Sequence, residues 1–159
     1  MKAAVVVSIA LLIFSSLYSA QGVAMSLFSG EDVYVFSAMD GHLTYQGQPA
    51  AGAKIIRHVA WKDREGESEE TVADENGYFS FPSMKRKLRQ FLPAQFVAHQ
   101  SIFVVYRDER VQIWGTGKLG KEEYAEVGRK PLEFTCELTD DPRRVDVEYG
   151  FIFTSCKWK

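Results

Sequence analysis

The residues of this 159-residue chain whose types invite chemistry are few: two cysteines, three histidines, one glycine-rich lysine loop and one basic run. In an oxidising compartment Cys136 and Cys156 are expected to form a disulfide closing a loop of about 20 residues, worth roughly 3 kcal/mol on an entropy argument. The alternatives are free core thiols or a nucleophilic cysteine; the chain has no Cys-x-x-Cys, and no histidine lies near either cysteine in sequence. The run Gly115 to Lys121 (GTGKLGK) partly matches a phosphate loop, but Glu122 stands where a Ser or Thr should reach magnesium. It therefore reads as a solvated loop. His42 and His58 are placed on neighbouring strands, yet zinc needs further convergent ligands, so these and His99 read as partly exposed strand histidines. Asp74 and Asn76 form half of a calcium loop whose other carboxylates are missing, which leaves a plain turn. Glu122, Glu123 and Glu126 read as solvated acids in a polar loop, and G-x-S-x-G is absent from the sequence. No catalytic residue, cofactor or metal ligand is assigned. The densest charge is Lys85, Arg86, Lys87 and Arg89 beside Phe91 and Phe96. It reads either as a contact for an acidic partner or an anionic envelope component, or as a solvated loop that guards a strand edge.

Composition narrows the class. At 46% hydrophobic and 25% charged, the chain has too much core material and too little net charge for disorder. A net charge of −2 offers no general attraction to nucleic acid. Residues 1–22 have the layout of a secretory signal peptide: Lys2, then an apolar run from Ala3 to Phe14 broken only by Ser8, then smaller residues. The expected cut follows Gly22, or alternatively Ala24, leaving residues 23–159 as one domain in the periplasm or outside the cell. An uncleaved anchor is disfavoured, because the apolar run falls short of the roughly 20 residues that span a bilayer. If Met25 is the true start, the protein is cytoplasmic. No transmembrane segment is expected after cleavage.

Short alternating stretches divided by turn residues dominate the rest. Strands are expected at Asp32 to Phe36, Gly41 to Tyr45, Ala53 to Trp61, Glu70 to Ala73, Tyr78 to Pro82, Ser101 to Tyr106, Arg110 to Trp114, Leu132 to Leu138, Val145 to Tyr149 and Phe151 to Cys156. Asp74-Glu75-Asn76-Gly77 predicts a hairpin across residues 69–82, with Phe79 and Phe81 on one face. A second hairpin is centred on Asp108-Glu109. Met84 to Phe96 reads as a crossing segment with one short helix or an irregular loop, and Gly115 to Arg129 as a mobile loop. A succession of short strands without a long amphipathic helix predicts an all-β sandwich.

Gly47, Pro49, Gly52 and Ala53, followed by Asp74, Gly77, Phe79 and Phe81, resemble the turn and hairpin motifs of carboxypeptidase regulatory-like and transthyretin-like β-sandwich modules. Ala73 stands where those modules usually have Thr. The whole mature chain also resembles an uncharacterised family of small bacterial proteins, through Phe36-Ser37, Cys136-Glu137-Leu138-Thr139 and Cys156-Lys157-Trp158. The resemblance implies a single transthyretin-like sandwich and brings no activity with it. A purine-pathway hydrolase of that fold uses histidines, an arginine and a C-terminal Tyr-Arg-Gly-Ser, whereas this chain ends Cys-Lys-Trp-Lys.

The expected function is that of a non-enzymatic binding or accessory protein in the periplasm, partnered by another protein or an envelope component. An immunity or inhibitor protein that occupies a toxin or enzyme is the narrower alternative, and a hydrolase with an unrecognised site is the third.

Overall fold

Strict period-two burial builds the sheets. In β8 (Ala98–Tyr106) residues 98, 100, 102 and 104 are buried, while their neighbours face outward. In β4 (Lys54–Ala60) residues 55, 57 and 59 do the same. The computed structural model describes residues 30–62, 65–89 and 94–159. The expected signal peptide and Phe91 lie outside them.

The remaining strands are β1 (Glu31–Phe36), β2 (Met39–Tyr45), β3 (Gln48–Pro49), β5 (Glu67–Val72), β6 (Tyr78–Phe81), β7 (Met84–Leu88), β9 (Glu109–Lys118), β10 (Phe134–Glu137), β11 (Arg143–Val147), β12 (Gly150–Thr154) and β13 (Cys156–Trp158). No helix occurs among the described residues. Two compact units divide the chain. The described part of the smaller one is residues 30–32 with 87–89, joined by the Lys87–Asp32 ion pair at 2.8 Å. The larger unit is a β-sandwich. One sheet has the order β11-β12-β9-β8-β4-β5; the other has the order β13-β10-β2-β3, with β6 also on β2. β1 pairs with β7. All other pairings are antiparallel except β10 with β2.

Aromatic rings and one buried cation fill the space between the layers. The Arg57 guanidinium, from the six-stranded sheet, lies 4.6 Å from the ring of Phe81 and 5.1 Å from that of Phe36. It donates to Pro82 O and to the Glu69 carboxylate. Burial pushes its pKa down, against the pull of Glu69. Trp114 from β9 meets Phe134 and Trp158 of the opposite sheet at 5.8 Å each. Two glycines permit close backbone approach. A Cβ on Gly41 would sit 2.4 Å from Phe134 O, where β2 runs beside β10. One on Gly77, which also has φ of 76°, would sit 2.4 Å from Leu43 O.

The all-β sandwich expectation holds, with finer subdivision and four local corrections. The predicted hairpin over residues 69–82 is a crossover between layers: β5 pairs with β4, and β6 pairs with β2. Asp74 still makes the turn, its carboxylate accepting from the N–H groups of Asn76 and Tyr78. Crossing sheets lets Phe79 and Phe81 enter the core while β5 takes the edge of β4. Secondly, the segment expected as helix or loop begins as strand β7. Alternation there exposes Lys85 and Lys87 and half-buries Arg86. Thirdly, β9 runs on through Lys118, so residues 115–118 belong to a strand rather than a loop. Finally, the stretch expected as one strand from Phe151 to Cys156 changes sheets at buried Ser155. The second hairpin forms with its turn one residue earlier than expected: Arg107 and Asp108, with φ of 50° and 65°, make the turn, and Glu109 already pairs with Tyr106.

The sheet change at Ser155 brings Cys156 directly opposite Cys136, with Cα atoms 4.0 Å apart and the sulfurs at the disulfide distance of 2.00 Å. Such a pair fits an oxidising, extracytoplasmic environment. The unfolded protein should show no titratable thiol without reductant. Reduction, or Cys136→Ser with Cys156→Ser, should lower unfolding free energy by about 3 kcal/mol in chemical denaturation.

Candidate functional site

The chemistry-bearing residues singled out above do not converge. His42, on β2, pairs with Glu133 at 2.7 Å and faces the Tyr78 ring. His58, on β4 in the other sheet, meets Ser68 Oγ at 2.9 Å. The expectation that these two strands are neighbours is therefore wrong, because β4 lies between β5 and β8. His99 stands exposed on β8. No group of three or more metal-ligating side chains is assembled among the described residues. Gly115 and Lys118 lie in a strand, and Lys121 O accepts from Tyr34 N, so the glycine run has no phosphate-loop geometry. The basic run is split by the pleat: Arg86 bonds Glu67 at 3.0 Å, Lys87 pairs with Asp32, Lys85 sits 4.8 Å from the Tyr34 ring, and Arg89 is exposed.

The motif residues instead build turns and core. Gly47, with φ of 75°, closes the β2–β3 turn, Pro49 sits on the short edge strand, and Gly52 N donates to Ala73 O. Phe79 and Phe81 are buried. Glu137 explains the Cys-Glu-Leu-Thr sequence. Its carboxylate accepts from Gln46 N, Gly47 N and Thr44 Oγ1 on one side, and from the N–H and hydroxyl of Thr139 on the other. It thus clamps the β2–β3 turn to the end of β10.

A buried polar cluster was missed by the sequence reading, which took Glu126 for a solvated acid. Lys118 and Glu126 are 1% and 6% exposed and form a direct ion pair. Lys118 Nζ also donates to Glu122 O at 2.7 Å. The Glu126 carboxylate accepts from Ser37 N, Ser37 Oγ and Gln100 Nε2 at 3.2, 2.9 and 3.3 Å. Ser37 Oγ accepts from Tyr124 N, and Gln100 Oε1 accepts from Trp114 Nε1. Nearly every lone pair and proton is thus satisfied, as a buried pair requires. The adjoining hollow, lined by Phe36, Ser37 and Glu126, measures about 10 Å³, room for a single water and for no substrate. One sequence signal could have revealed this: extending the strand of Trp114 by four residues puts Lys118 on the same inner face.

This cluster shapes the open flank of the sandwich. It pins the 119–133 segment, which supplies Val127, and it backs Trp114, against which Trp158 packs. Val127 and Trp158 join Arg143, Val145, Asp146, Val147, Glu148 and Lys157 around a cleft of about 540 Å³ between the edge strands β11 and β13. Arg143 Nη2 donates to Cys156 O at 3.0 Å, bridging the two sheets. The cleft's acids are engaged: Asp146 by Arg144 at 2.8 Å, and Glu148 by the Tyr149 hydroxyl, whose pKa it raises. Lys157 is 3.6 Å from Asp140, a loose contact. The cleft therefore brings Val127, Val145, Val147 and Trp158 together with the cationic side chains of Arg143 and Lys157.

Fold and geometry together define a β-sandwich with a cleft in its open flank. The chain belongs to the DUF6795 family, described as a domain of unknown function, whose model matches residues 39–141. That match takes in Lys118, Glu126, Glu137 and Val127, and stops before β11. No curated protein and no solved structure matches the chain. No helix among the described residues is long and apolar enough to cross a membrane.

Lys118→Met or Glu126→Leu alone should cost about 3–5 kcal/mol, because each strands a buried charge. The double variant should cost clearly less than the sum of the two in a denaturation cycle. Hydrogen exchange should accelerate across residues 119–133 in both single variants. Glu137 allows a pH test. Burial alone would raise its carboxyl, but bonds from Thr139, Gly47 and Thr44 hold it down at about 2, against an ordinary value of 4.5. Its contribution is therefore present above pH 4.5 and is lost as pH falls through about 2. Glu137→Gln should cost about 1–3 kcal/mol at pH 7. The gap from the parent should close on acidification across that window in urea titrations.

Proposed function

We propose that this chain is a non-enzymatic binding or accessory protein of the bacterial periplasm that engages another protein through the flank cleft. The observation that carries the reading is the cleft itself. Its volume lies within the range of binding pockets, and Val127, Val145, Val147 and Trp158 are among the residues that line it. Arg143 and Lys157 at the rim suit a partner side chain that is apolar with carboxylates beside it. The leader-like residues 1–22 and the Cys136–Cys156 pair support an exported setting. The turn and core roles of Gly47, Pro49, Gly77, Phe79 and Phe81 support kinship with transthyretin-like and carboxypeptidase regulatory-like modules. An immunity or inhibitor protein is the narrower form of this reading, and the identity of the partner decides it.

Affinity capture from an envelope extract of the native host tests the reading. The retained protein should be lost by about tenfold or more on Val127→Arg or Trp158→Ala. It should remain when Lys85, Arg86 and Lys87 are all changed to Glu. The reverse pattern would move the contact to β7. Turnover by the purified protein that disappears on replacing His42, His58 or His99 would overturn the non-enzymatic reading.

A further inference from the structure

β11 is an end strand of the six-stranded sheet, and its sequence is Arg143-Arg144-Val145-Asp146-Val147. Arg143, Arg144 and Asp146 are exposed, while Val145 and Val147 are partly covered. An end strand carries a row of backbone donors and acceptors ready to pair with another strand. Arg144 and Asp146 lie on the outer face, opposite Phe153 and Phe151 of β12. Their side chains are joined at 2.8 Å, and the Arg144 guanidinium is 4.2 Å from the Phe151 ring centre. Both outward phenylalanines remain about half exposed, at 47% and 48%. They stand one strand in from the edge, with Phe153 opposite Gly115 of β9.

This pattern is self-complementary. When β11 meets a second β11 antiparallel about a two-fold axis at Val145, Arg144 of each copy falls opposite Asp146 of the other. Arg143 then falls opposite Val147. Centring the axis on residue 144 sets Arg144 against Arg144. Centring it on residue 146 sets Asp146 against Asp146 between two Arg144–Glu148 pairs, and centring it on residue 147 sets Asp146 against Glu148 twice, so only the Val145 register has opposite charges paired and no like charges facing one another. Like charges directly opposite one another on a sheet are destabilising, and opposite charges are favourable. Among registers that keep the outer face continuous, the side chains thus favour the one centred on Val145. The interface is isologous and closed, so it yields a dimer rather than a fibre.

We infer that the β11 edge is a homodimerisation edge, with a second copy of this chain as its occupant, in the antiparallel register centred on Val145. The pairing joins the two six-stranded sheets into one and places Val147 of the second copy beside Arg143 at the rim of the cleft. The inference stands apart from the cleft reading, since it needs no ligand.

Sedimentation equilibrium of the purified protein over a concentration series, repeated with two exposed-site variants, tests it. The parent should be a reversible dimer. Asp146→Arg and Arg144→Asp should each weaken self-association by roughly tenfold or more, since each puts like charges opposite one another twice. Mixing the two variants should restore a dimer containing one copy of each, because all four charges are then matched. Unchanged thermal melts would show that both variants fold. A parent that stays monomeric throughout, reversals that leave the dimer intact, or variants that fail to associate on mixing would each overturn the inference.

Discussion

The ion pair between Lys118 and Glu126 is the contact on which the rest of the molecule leans. A lysine and a glutamate removed from water are costly unless each meets the other and further donors and acceptors. Here the carboxylate takes both polar groups of Ser37 and the amide of Gln100, and the ammonium takes a backbone carbonyl. The cost of breaking this set fixes several elements at once. It holds the end of β9, the joint between β1 and β2, the middle of β8 and the segment 119–133 in one arrangement.

Two further constraints tie the chain ends of the sandwich to its centre. Glu137 gathers the β2–β3 turn onto β10, and the adjacent cysteine is at disulfide distance from the last strand. Chain segments separated by about ninety residues are therefore joined at neighbouring positions on β10. Arg57 does similar work on the other side of the core, where a cation lies between rings from β1 and β6. Each of these polar contacts sits where two layers or two turns must meet in one register, and apolar contacts alone tolerate small slips there.

What the core leaves uncovered is concentrated at one flank. β12 and β13 part company at Ser155, each joining a different sheet, and the gap between β11 and β13 becomes the cleft. The same divergence leaves β11 as a sheet edge, so the two surfaces suited to partners share a strand. Residues of this strand line the cleft, and Arg144 and Asp146 on its outer face carry the matched charges.

Local sequence determined the strand content, most turn positions, the pairing of Phe79 with Phe81 on one face, and the association of the two cysteines. These depend on two-residue alternation, on glycine and aspartate geometry, and on the small number of cysteines. Sequence alone did not determine which strands share a sheet. The Asp74–Gly77 turn looks the same whether it closes a hairpin or crosses between layers, and only competition for the edges of β4 and β2 decides the outcome. Nor did it reveal the buried ion pair. Lys118 and Glu126 read as solvated because charge predicts exposure, and that prediction fails only when remote residues such as Ser37 and Gln100 arrive to replace water. The cleft is a product of the tertiary fold in the same sense. Val127, Arg143 and Trp158 come from three separate segments, and nothing in their local spacing encodes the meeting that β9, β11 and β13 impose.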